Sequence, residues 1–189
     1  MTEDKKKENN KEKTKEQLDK EQEEKEHMIE SLKKAGNIAK EVKKFIKPKI
    51  KVGKKALEIV NETESKIVEL EGNMAFPVNL SINNIAAHYT SPIKDDGLVI
   101  NDGDIVKIDL GVHVNGYIVD TAFSISFNDT KPLQNIIQAT EVAVEAAKMM
   151  VKPKTNTRDI GKKIEDIIKG FKYNPIKELG GHQIERWTV

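Results

Sequence analysis

Hydrophobic positions along the chain fall into blocks with different periods. Residues 3–27, "EDKKKENNKEKTKEQLDKEQEEKEH", contain a single aliphatic residue, Leu18, so they have no apolar face to bury. From Met28 the pattern changes. Met28, Ile29, Leu32, Ala35, Ile38, Ala39, Val42 and Ile46 recur at helical spacing, and Pro48 closes the segment. A second helical block carries Ala56, Leu57, Val60, Ile67, Val68 and Leu70 and stops at Gly72. Residues 75–92, "AFPVNLSINNIAAHYTSP", turn to strand and turn chemistry, punctuated by Pro77, Asn83, Asn84 and Pro92. Further on, residues 133–151 predict a helix whose Ala/Val/Met stripe reads as core. Another helix starts near Asn156 or Thr157, runs through Ile160, Ile164, Ile167 and Ile168, and stops around Gly170. The final "GGHQIERWTV" reads as a turn followed by a strand. This order predicts an α+β, or mixed α/β, domain over residues 28–189, preceded by a charged tail that is disordered or partly helical.

The clearest local signal is Asn115-Gly116, which sits between two alternating runs and predicts a two-residue hairpin turn. Val114 then pairs with Tyr117, and the side chains sort onto two faces. One face carries Val106, Ile108, Leu110, Val112 and Val114 with Tyr117, Val119, Thr121, Phe123 and Ile125, which is a core face. The other carries Lys107, Asp109, Gly111 and His113 with Ile118, Asp120, Ala122 and Ser124. Asp120 lies opposite Gly111, so Asp109 and Asp120 are diagonal neighbours, roughly 7–8 Å apart at the backbone. Gly111 leaves the space opposite Asp120 open. Two readings follow: a solvated polar face, or two carboxylates converging on one cation. The small or apolar neighbours Gly111, Ile118 and Ala122 suggest cover, which favours the second.

Composition narrows the field. The chain is 33% charged and 37% hydrophobic, with Lys+Arg 32 against Asp+Glu 31 and a formal charge of +1. No global field marks a DNA or RNA binder. The absence of cysteine excludes disulfides and thiolate ligands and fits a reducing compartment such as the cytoplasm. No apolar run is long enough for a membrane span. Of the four histidines, His27 reads as inert surface and His113 as the rim of the aspartate face. His88, in "NNIAAHYT", is open between a structural and a functional role. His182 follows two glycines that permit close backbone approach, which makes it a candidate ligand.

Three stretches, "AFPVNLSINNIAAHYTSP", "GDIVKIDLGVHVNGYIVDTAF" and "GGHQIERW", resemble consecutive motifs of the type II methionine aminopeptidases in their short, archaeal-like form. The resemblance implies the pita-bread (creatinase/aminopeptidase) fold, with the first pseudo-repeat and the start of the second falling in this chain. It also implies a hydrolase that removes the initiator methionine from nascent proteins using two divalent ions, Co, Mn, Fe or Zn. By motif, Asp109 would chelate one metal, Asp120 would bridge both and His182 would bind one. His88 would contact the scissile peptide of the substrate methionine and stabilise developing charge. Two further glutamate ligands, one of which helps deprotonate the water, would lie beyond the His182 motif and have no counterpart up to Val189. The resemblance therefore implies an incomplete site and a possible separate C-terminal half as partner. Nascent N-termini are the expected substrates, and the charged tail could dock on the ribosome. A non-catalytic pita-bread homologue, a ribosome- or RNA-associated adaptor, is the competing reading; retention of Asp120 and His182 favours the enzyme. A prolidase-type peptidase is a third, and "AAHYTSP" with "GGHQIERW" fits the methionine enzyme better.

Overall fold

From Lys15 onward, the Lys/Glu block and the first amphipathic block form one continuous helix. In the computed structural model, which describes residues 14–94, 97–127 and 130–189, α1 spans Lys15–Ile46. The hydrophobic pattern predicts a start at Met28. The helix instead begins at Lys15, where Thr14 and Gln17 form a capping box. Glu, Lys and Gln are strong helix formers, and pairs such as Lys20–Glu16 (3.0 Å) support an exposed extension that needs no core. The first part of the predicted tail, residues 1–13, lies outside the described residues. After α1, a 3-10 turn at Lys47–Lys49 carries Pro48, and α2 follows over Ala56–Glu69.

The chain after α2 reverses through Glu71, whose φ of 63° is left-handed, with Lys34 of α1 bonded to its carboxylate at 2.9 Å. Gly72 next to it sits in a tight place. A Cβ there would lie 3.1–3.2 Å from Val112, Ile38 and Ile67, where helix and sheet meet. Three antiparallel strands follow, β1 (Asn73–Ile82), β2 (Ile105–Val114) and β3 (Tyr117–Ser126), in the order β1-β2-β3. The predicted hairpin register holds throughout, from Val114↔Tyr117 to Ile105↔Ser126. On the inner face Val106, Ile108, Leu110 and Val112 are buried against Ala35, Ile38, Ala39, Val42 and Ile46 of α1 and Ile59, Val60 and Ile67 of α2. This is the main core.

Two helices, α3 (Lys131–Met150) and α4 (Thr157–Gly170), complete the described elements. Here the expectation of a buried Ala/Val/Met stripe on α3 needs correcting. Only Ala139 and Ala143 are buried, joined by Ile168 of α4, while Val142, Val144, Met149 and Val151 are exposed. α3 packs mainly on α4 along one narrow seam and touches β3 only lightly, which leaves much of its apolar surface open. Between this helix pair and the outer sheet face lies a cleft of about 740 Å³, with Lys107 and Ser124 on one wall and Ile137, Ala143 and Ile168 on the other. The predicted final strand is also absent. Residues 180–189 form turns with a single bridge, Glu185↔Thr188, and no described strand lies alongside them to complete a ladder.

Candidate metal centre

Asp109 and Asp120 stand on the outer sheet face, as the hairpin pattern predicts. Asp109 pairs with Ala122 and Gly111 with Asp120, which makes the carboxylates diagonal neighbours. They are close enough to share a hydrogen bond, and Asp109 titrates at about 6 instead of 3.8. Burial is the main cause, and the charge and hydrogen bond of Asp120 come next. The positive influence of His88 and a hydrogen bond from the Asn79 side chain act in the opposite direction.

β1 shapes this face through irregular pairing. Its register against β2 slips once between Met74 and Phe76 and again between Phe76 and Asn79, around Pro77, which has no N–H to give to a ladder. Residues 76 and 79 would face opposite ways in a regular strand. The bulge lets both address the outer face, Phe76 opposite Gly111 and Asn79 opposite Asp109. The space over Gly111 is therefore not open, contrary to the sequence reading. A Cβ there would run into the Phe76 ring and the Ala75 methyl, so glycine makes room for an aromatic cover.

The histidines arrive on loops. After β1 the chain doubles back along it, with Leu80 N–H bonded to Tyr89 O at 2.8 Å and Thr90 Oγ1 to Val78 O at 2.9 Å. His88 sits in this return with a left-handed φ of 63°, near enough to Asp109 to act on its charge. His182 reaches the other carboxylate, its Nε2 standing 3.9 Å from Asp120 Oδ2. His113, expected at the rim, packs edge-on against Trp187 with centroids 5.1 Å apart, and its Nδ1 is buried without a hydrogen-bond partner. His27 is not free surface either. It lies 3.3 Å from Asn115 Nδ2 and edge-on to Tyr117.

The donor set suits a hard or borderline divalent ion: two converging carboxylates and an imidazole, with no thiolate. The raised Asp109 pKa is the electrostatic counterpart, since a cation would remove the repulsion that now favours a proton. Among the described residues, no three His, Asp or Glu side chains are drawn together tightly enough to hold a metal as they stand. The pair is preformed, and His182 brings a third donor to 3.9 Å from Asp120 Oδ2. Sequence reasoning missed Phe76, Asn79, Arg186 and Trp187; Pro77 within a strand pattern was the one available hint of the bulge.

The chain belongs to metallopeptidase family M24, whose model matches residues 30–188. It is 47% identical over 160 residues to a methionine aminopeptidase of Thermococcus kodakarensis, covering 85% of this chain and 53% of that protein. It is 38% identical over 172 residues to one from Methanothermus fervidus, covering 91% of the latter. The chain thus spans about half the length of the first relatives that it matches. Among solved structures, the methionine aminopeptidase of Rickettsia prowazekii superposes with TM-score 0.77 at 25% identity, over 85% of this chain and 67% of that one. A prolidase from Pyrococcus furiosus gives TM-score 0.66 at 23% identity, a likeness of fold. The architecture is a mixed α/β part of the pita-bread fold.

Proposed function

We propose that this chain carries the aspartate side of a type II methionine aminopeptidase, a hydrolase that removes the initiator methionine from nascent proteins with two divalent ions. The observation that carries the reading is the 38–47% identity to methionine aminopeptidases over 85% of the chain, together with the M24 family model over residues 30–188, a span that holds Asp109, Asp120 and His182. Asp109, Asp120 and His182 would hold the ions, which polarise a scissile carbonyl and acidify a bound water. The carboxylates and imidazole accommodate Co, Mn, Fe or Zn.

The chain's own residues supply the rest. Asn79 fixes the Asp109 carboxylate by hydrogen bond, and Phe76 shields the pair on the Gly111 side. His88 would direct a ring N–H at the oxygen of the scissile peptide and stabilise its developing charge. The assay is hydrolysis of a Met-peptide with Co²⁺ or Mn²⁺. Metal-dependent release of methionine that Asp120→Asn abolishes supports this reading, and turnover that neither a chelator nor Asp120→Asn reduces refutes it.

The adaptor reading draws no support, since the relatives and solved structures named above are peptidases. Cytoplasmic work on emerging chains is implied, and no described helix is long and apolar enough to cross a membrane. Charge constrains the proposed ribosome contact. Residues 1–27 hold eight lysines against ten Asp and Glu, so a basic protein surface suits this tail better than RNA.

A further inference from the structure

Residues 182–189 join no sheet, yet they are fastened at one place. The Trp187 N–H donates to the Gly116 carbonyl at 2.8 Å, and Arg186 Nε donates to the Asn115 carbonyl at 2.9 Å. The Arg186 guanidinium lies 4.8 Å from the Tyr117 ring centroid, and the Trp187 indole covers His113. Gly116 is required twice over: its φ is 82°, and a Cβ would enter the indole. Trp187 itself holds a left-handed φ of 68°, closed by paired hydrogen bonds between Glu185 and Thr188. A bulky residue keeps that conformation only when its surroundings impose it. The hairpin tip is in turn anchored to α1, through Asn115 Nδ2 and the buried Ser31 hydroxyl at 3.1 Å.

Between Gly180-Gly181 and this attachment, the segment has little else to hold it. His182 Nδ1 contacts the carbonyl of its own neighbour Gln183, and Gln183 bonds Glu185. Nevertheless His182 stands beside Asp120. We propose that Arg186 and Trp187 are positioning residues: they clamp the segment to the Asn115-Gly116 tip and thereby hold His182 against Asp120. The chain's one tryptophan acts as a peg. The consequence for metal binding rests on the proposed function above, whereas the geometry does not.

The test uses the full 189-residue chain and two readouts. Without metal, the wild type should show a nuclear Overhauser contact between the His182 ring protons and the Asp120 β-protons. Arg186→Ala with Trp187→Ala should abolish it while amide protection in β2 and β3 stays unchanged. Trp187→Phe, with Arg186 kept, should restore it. Gly116→Ala should weaken it from the hairpin side. With Co²⁺, the double variant should show the visible spectrum of His182→Ala and bind about tenfold more weakly, the usual effect of losing a ligand's support. Persistence of the His182–Asp120 contact in the double variant overturns the clamp. So does its loss together with hairpin protection, which would assign Arg186 and Trp187 to fold stability. Equal Co²⁺ binding by wild type and Asp120→Asn would refute the metal reading alone and leave the contact measurement standing.

Discussion

Asp109 carries the electrostatic tension of the outer face. Its carboxyl, raised to about 6 by burial and by Asp120, keeps a proton in the folded chain at pH values where the unfolded chain has lost it. Metal-free stability should therefore fall as pH climbs from about 4 to 6 and level off above, where both states are ionised. A two-unit shift corresponds to about 3 kcal/mol when fully shielded, and partial exposure of the pair reduces it to about 1 kcal/mol. Urea unfolding at pH 4 and pH 7 should show this slope in the wild type and its loss in Asp109→Asn. A second residue-scale prediction concerns Gly111. Gly111→Ala should cost about 1–3 kcal/mol through collision with Phe76, read as a lowered Tm. The aspartate pair was legible in the sequence because the Asn115-Gly116 turn leaves only one register. Neither Asn79 nor Phe76 was, because their placement depends on a double bulge that no alternation pattern records.

At the scale of elements, β2 and β3 follow from local rules, whereas α3 shows where those rules stop. Its stripe has the composition of a core helix, but burial depends on what packs against it, and α4 covers only Ala139 and Ala143. The final segment failed as a strand for a related reason: strand-like residues need a neighbouring edge, and this segment is held by Arg186 and Trp187 instead. The start of α1 was missed because its first part is stabilised by capping and exposed ion pairs, which leave no hydrophobic signature. These differences predict two levels of stability. Amide exchange in α1, α2 and the sheet should be governed by the large shared core. Exchange in α3 and α4 should be faster by at least about tenfold, since so few side chains are buried between them. Uniform protection across all five would contradict that division. His88 and His182 were visible in sequence only as candidates, since loop geometry, not periodicity, brings them to the aspartates.

For the whole molecule, the helices α1 and α2 brace the inner sheet face so that the outer face can present charge. That arrangement places two carboxylates and two histidines from four separate chain segments around one patch. The bulk numbers, a charge of +1 and no cysteine, exclude much and identify little. The family and the outer sheet face together support the proposed function. The central claim is that this face binds divalent metal through Asp109 and Asp120. Calorimetric titration of Co²⁺ into the 189-residue chain, compared with Asp120→Asn, tests it most directly. Binding by the wild type should be saturable and should weaken by about tenfold or more in the variant, as expected when a ligand set loses a charged member. Identical titration curves for the two chains would contradict it.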